Sequence, residues 1–169
     1  MDTAEIIAQF GKMLGNLDRW LEKAAAFAQQ KKLEPDVLVQ SRLAPDQYEL
    51  ARQVQSACDA AKYAAAYLSG QPAPSHPDTE KTIAELRGRI QTCRRWLESV
   101  KPSEYAAAAD RRVSPPWLQG KWFRGAEYLA QLAVPNFYFH VTTAYAILRH
   151  NGVDLGKMDF IGSMPVHDA

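Results

Sequence analysis

A chain of 169 residues, 47% hydrophobic and 23% charged, has the length and composition of one folded domain, not of a disordered segment or a disulfide scaffold. Twenty Lys and Arg against nineteen Asp and Glu leave a net charge of +1, so the field that recruits nucleic acid or an anionic membrane is missing. The N-terminal MDTAEIIAQF has no basic n-region, which argues against a signal peptide and for a cytoplasmic chain with reduced thiols.

The first helix is predicted from about Asp2 to Gln30. Ile6, Phe10, Met13, Leu17, Trp20, Ala24 and Phe27 recur at steps of three and four, as one buried face requires. After a break carrying Pro35 and Pro45, a helical turn is expected near residues 35–41. A second long helix follows from about Pro45 to Ser69, stopped by Gly70. Its inner face reads Tyr48, Ala51, Val54, Cys58, Ala61, Ala65 and Leu68. QPAPSHPD is a turn, and a third helix spans about Asp78 to Val100 on the seam Ile83, Leu86, Ile90, Cys93, Leu97 and Val100. Cys58 and Cys93 fall on apolar phases of separate helices and read as small core residues.

Residues 101–124 are irregular, either a short strand pair or a packed loop; Trp117, Trp122 and Phe123 are expected to pack over the end of the helices, with the mouth of a pocket or a dimer seam as the alternatives. The Arg pairs at 94–95 and 111–112 read as solvated surface. The last helix runs from about Gly125 to His150, bent at Pro135, whose ring removes an amide donor. Within it, the 21 residues from Tyr128 to Leu148 carry no charge, the length of a membrane span. Gln131, Asn136, His140, Thr142 and Thr143 make the stretch too polar for lipid and suited to a protein core. Gly152 stops the helix, and residues 153–169 form a tail with local turns. The fold class is all-α, an antiparallel four-helix bundle in a single domain over 1–169.

There is no phosphate loop, H-E-x-x-H, C-x-x-C or G-x-S-x-G, so chemistry rests on polar residues at inward-facing positions. His140 lies inside the apolar stripe Ala133, Phe137, Ala144, Ile147 and Leu148, with Asn136 and Thr143 one turn to either side. A buried imidazole needs partners for both nitrogens, and the second helix offers Gln55 and Asp59. Asp59 beside His140 would fix its tautomer and make an acid/base pair, an arrangement shared by structural networks and reactive sites. His76 in the turn and His167 in the tail read as solvated, and His150 as a helix-terminal charge.

PNFYFHVTTAYAILRHNGVDLGKMDFIG, with RLAPDQYELARQVQSACDAAKYAAAYLSG upstream, resembles an uncharacterised bacterial family of domains of unknown function, itself similar to the DinB/YfiT-like superfamily of four-helix bundles. That resemblance implies a homodimeric bundle carrying a divalent metal, zinc or nickel, on three histidines: one from the second helix and two from an H-x-x-x-H on the last. It also implies thiol-dependent transferase or isomerase chemistry for some members. His140, Arg149 and Gly152 keep the superfamily spacing, so His140 matches the second histidine of that motif. Asn136 stands at the first, and Gln55 or Asp59 lies nearest the second-helix position. The metal set left by the resemblance is His140, Asn136 and Asp59, able to hold a harder ion, a water or no ion. Three readings stay open. One is a small-molecule-binding or degenerate site around His140, with Gln55, Asn136 and Thr143 touching the ligand. Another is a metal- or thiol-dependent transferase or hydrolase using His140 and Asp59. The third is a homodimeric interaction protein.

Overall fold

A computed structural model describes residues 2–167; Met1 and the last two residues of the expected tail lie outside it. The chain is mostly helical. Helix α1 spans Thr3–Lys31 and starts at a capping box, in which the Asp2 carboxylate accepts the Glu5 amide at 2.8 Å and the Glu5 carboxylate accepts the Asp2 amide at 2.8 Å. It ends where Lys32 turns left-handed. Phe10, Met13, Leu17, Trp20 and Ala24 are buried as expected, while Ile6 and Phe27 sit at the edges of the stripe, half-buried. The expected turn is a 3₁₀ helix over Pro35–Gln40.

Helix α2 spans Leu50–Ser69, five residues shorter at its start than predicted. The Arg42 guanidinium donates to the Pro45 and Gln47 carbonyls, at 3.4 and 3.2 Å, and holds residues 42–47 as a turn. Tyr48 therefore precedes the helix and is exposed, contrary to its place on the expected inner face. The Gly70 amide closes the C-terminus on Ala66 in a left-handed conformation that a Cβ would strain. Helix α3 spans Ile83–Ser99, beginning at a Thr82–Glu85 capping box, because residues 77–80 are engaged elsewhere. Its six seam residues are all buried.

Residues 101–124 combine both options, with 3₁₀ turns and a two-residue antiparallel pair of β1 (Arg112–Val113) and β2 (Phe123–Arg124). Trp117 and Trp122 do not pack over the helices as expected: they are 62% and 51% exposed, and Trp122 instead stacks beneath the Arg112 guanidinium. Arg111 is no free surface charge either, since its Nε caps α2 by donating to the Leu68 carbonyl at 3.1 Å.

The last helix is interrupted. Helix α4 (Gly125–Tyr128) leads into a π turn (Leu129–Ala133) and then α5 (Val134–His150). The Val134 amide reaches back five residues to the Leu129 carbonyl, and Pro135, with no amide to offer, takes a place in the first turn of α5. The proline thus produces a widened turn, where a simple bend was expected. The tail also holds a helix, α6 (Lys157–Ile161), clasped to α1: the Trp20 indole donates to the Asp159 carbonyl at 3.0 Å, and Asn16 to the Phe160 carbonyl at 2.8 Å.

α2 packs on α5 and α3, and α1 on α3, α2 and α5, around one apolar core. Cys58 and Cys93 are buried free thiols within it, with the Cys93 thiol donating to the Cys58 carbonyl. Among the described residues, no helix is long and apolar enough to cross a membrane.

Candidate functional site

His140 comes from the middle of α5 and is buried, 8% exposed. Its Nδ1 lies 2.8 Å from the Gln53 Oε1 on α2. The other end of that amide settles the proton. Gln53 Nε2 donates to the Tyr48 carbonyl at 3.2 Å, so Oε1 must face the imidazole and Nδ1 must carry the hydrogen. Nε2 then holds a lone pair, and it has no hydrogen-bond partner among the described residues. Burial first, and the Arg52 charge second, hold the imidazole below its ordinary pKa. At neutral pH the ring is an uncharged acceptor.

The free edge of that ring belongs to a cavity of about 620 Å³ between α2, α5 and the 115–117 turn. Arg52 and Asp59 line it from α2 and Asn136 from α5, while Tyr63, Tyr67, Tyr128 and Trp117 supply aromatic walls. Burial raises the pKa of Tyr67 and, more strongly, of Tyr128, so both phenols are neutral donors.

Asp59 is committed elsewhere. Its carboxylate bonds Lys62 at 2.8 Å and Arg89 at 2.9 Å, two side chains almost wholly withdrawn from solvent. Arg89 also pairs with Asp78 at 3.0 Å and Glu80 at 3.2 Å, and donates to the Pro77 carbonyl. This network occupies residues 77–80 and joins the turn before α3 to α2.

A family model described as a domain of unknown function, DUF1993, matches residues 4–161. The chain belongs to this family. It is also similar to a crystal structure of a DinB family member from Shewanella denitrificans, at 51% identity and a TM-score of 0.93, over 96% of this chain and 93% of that one. No curated protein matches it.

In this DUF1993 domain, His140, Asn136 and Asp59 line one cavity, as the sequence reading grouped them, but His140 bonds Gln53 where Asp59 was expected. Gln55 turns away and donates to Glu80 at 3.0 Å. Thr143 spends its hydroxyl on the Phe139 carbonyl at 2.7 Å, a bond within its own helix. The sequence did hold a clue to Gln53. It sits four residues before Ala57 on the alanine row Ala57, Ala60 and Ala64, small residues that let α5 come close. His76 is half-buried rather than solvated, and Lys62 and Arg89 help burial lower its pKa.

The residues do not fit the zinc or nickel ion that the superfamily implies. Asn136 offers a neutral amide, and Asp59 would have to leave two buried cations. Among the described residues, no three His, Cys, Asp or Glu side chains converge where an ion could sit.

Proposed function

We propose that this chain is a small-molecule-binding bundle, with its ligand in the His140 cavity and a ligand N–H or O–H donated to His140 Nε2. One observation carries the reading: Gln53 consumes Nδ1 of a buried, neutral imidazole and leaves Nε2 unpaired beside a cavity of about 620 Å³. Cavities of this size that combine aromatic walls with a few convergent polar groups are typical ligand sites. Asn136 supplies an adjacent amide, and the tyrosines supply flat apolar contact. The frame is an antiparallel four-helix bundle of DinB-like type, formed by α1, α2, α3 and the α4–π–α5 segment, with the site between its second and last members.

A second reading draws on the same lone pair. In a transferase or hydrolase, neutral His140 would take a proton from the bound molecule. It would do so without Asp59 as a direct partner, because Gln53 already holds the ring and Lys62 and Arg89 hold the carboxylate.

A fragment screen tests the proposal by melting temperature and by the ¹⁵N resonances of His140. A ligand of this site raises the melting temperature by mass action and shifts Nε2, and both responses disappear in His140→Phe. Hits that stabilise wild type and His140→Phe equally would count against it.

A further inference from the structure

The carboxylate of Asp59 is used through one oxygen. Lys62 and Arg89 both bond Oδ1, at 2.8 and 2.9 Å, and Oδ2 has no hydrogen-bond partner among the described residues. His140 is in the same position, with Nδ1 engaged and Nε2 free. Neither free atom is sealed in. Among the described residues, the unpartnered side-chain atoms closed to solvent belong to Gln47, His76, Arg89, Arg94 and Tyr105. Asp59 Oδ2 and His140 Nε2 instead keep accessible surface, on side chains that line one cavity.

The two atoms share a restriction. A carboxylate oxygen and the unprotonated nitrogen of a neutral imidazole accept hydrogen bonds and donate none. Other polar groups of the wall adapt: the Ser56, Tyr67 and Tyr128 hydroxyls and the Asn136 amide can each donate or accept. The fixed demand of the cavity is therefore for N–H or O–H groups on whatever fills it. Charge narrows the choice. Arg52, Lys62 and Arg89 are paired with Asp59, Asp78 and Glu80, three cations against three carboxylates, so this wall has no net charge with which to hold an ion.

Shape narrows it again. His140 meets Gln53 at one end of the seam between α2 and the last helix, and the Tyr67 and Tyr128 rings meet edge to face, 5.7 Å apart, at the other. The cavity thus runs from His140, past Asp59 and Asn136, to an aromatic end where Tyr63 and Tyr67 lie nearly parallel, 18° apart. Aromatic walls of this kind take a flat ring by offset or edge-to-face packing.

Resting on the reading of the His140 cavity as a ligand site, we infer that its ligand is an uncharged amino-heteroaromatic ring, of the aminopurine or aminopyrimidine kind. Its N–H groups are donated to Asp59 Oδ2 and His140 Nε2, and its flat face packs on the tyrosines.

2-Aminopurine, uncharged at pH 7.5 and fluorescent, serves as the probe on the full chain, with purine, the same ring without the exocyclic amine, as its comparator. Saturable binding of 2-aminopurine at one site per chain is expected, with purine roughly tenfold weaker, the worth of one hydrogen bond to a charged acceptor. Asp59→Asn changes the demand at one atom. Lys62 and Arg89 are donors and hold the amide oxygen in the place of Oδ1, so the amide nitrogen takes the place of Oδ2. That variant, with a native circular dichroism spectrum, should bind 2-aminopurine no better than purine, and a preference kept there overturns the inference. The wild-type ratio decides whether or not the variant folds. Equal affinities for the two rings overturn the inference, and if both are then lost in His140→Phe the ligand site itself stands. Absence of binding by either ring also overturns it, and the fragment screen then judges the site alone. Binding of 2-aminopurine that persists in His140→Phe overturns the inference and counts against the site as well.

Discussion

Replacing Gln53 by Leu isolates the contact on which the His140 site depends. The two side chains have similar volume, so no cavity opens. What is lost is the acceptor 2.8 Å from Nδ1 and the donor 3.2 Å from the Tyr48 carbonyl. The carbonyl lies just before α2 beside an exposed residue, so water replaces its partner at little cost. The imidazole N–H has no such recourse, and leaving it unpaired costs about 1–3 kcal/mol. We expect Gln53→Leu to lose about 2 kcal/mol, or roughly 4–8 °C in melting temperature for a domain of this size. His140→Phe removes the other partner and strands the Gln53 carbonyl instead. The double variant buries two apolar side chains with nothing left unpaired, so its loss should be smaller than the sum by about 1–2 kcal/mol. Urea unfolding at pH 7.5 followed by tryptophan fluorescence measures all four corners of the cycle. Additivity within about 0.5 kcal/mol would refute the coupling, and with it the tautomer assigned to His140.

Three further outcomes are expected. His140 and His76 both have folded pKa values below the ordinary 6.5, so the unfolded chain binds more protons. Stability should be full above pH 6.5, fall as pH drops through that value, and level off below the folded pKa values; the melting temperature of His140→Gln should depend less on pH, and an unchanged slope would remove His140 from the account. At Gly125 an added Cβ would sit 1.8 Å from the Ala108 carbonyl oxygen, a backbone atom that cannot swing aside, so Gly125→Ala should cost about 3 kcal/mol or more by chemical denaturation. Asp59→Asn withdraws, among the described residues, the one carboxylate paired with Lys62 and one of three paired with Arg89; a loss of about 2–4 kcal/mol is expected, and a neutral result would show that the cluster tolerates a missing charge.

The helices were legible wherever periodicity alone decides them. The α3 seam needed only its spacing of three and four, and the α2 stop needed only Gly70. The early start assigned to α2 failed because Pro45 is as compatible with a capped turn as with a helix, and the choice was made by Arg42 reaching two carbonyls. The π turn was hidden for a similar reason: Pro135 announces a disturbed helix, but packing decides whether it bends or widens. At the site, His140 was visible as a polar residue on an apolar stripe. Its partner was not, because Gln53 and Asp59 flank the inner face of α2 on opposite sides, and sequence does not say which flank meets α5. Asp59 has the stronger chemistry on paper. It was claimed by Lys62 and Arg89, and the latter comes from a helix whose rotation no local pattern reveals.

The clasp between α6 and α1 ties the two ends of the sequence to each other. Its hydrogen bonds join residues 139 and 144 positions apart, close to the full span of the chain. The packing of α1 on α5 already brings the two ends of the chain together, so α6 closes only the short segment after α5, and the five-residue helix has little stability of its own. The buried face of α1 around Trp20 is therefore completed by the element with the least helical stability of its own, since Phe160 of α6 stacks on the Trp20 ring. One face of the first helix is thus made whole by residues from the other end of the sequence.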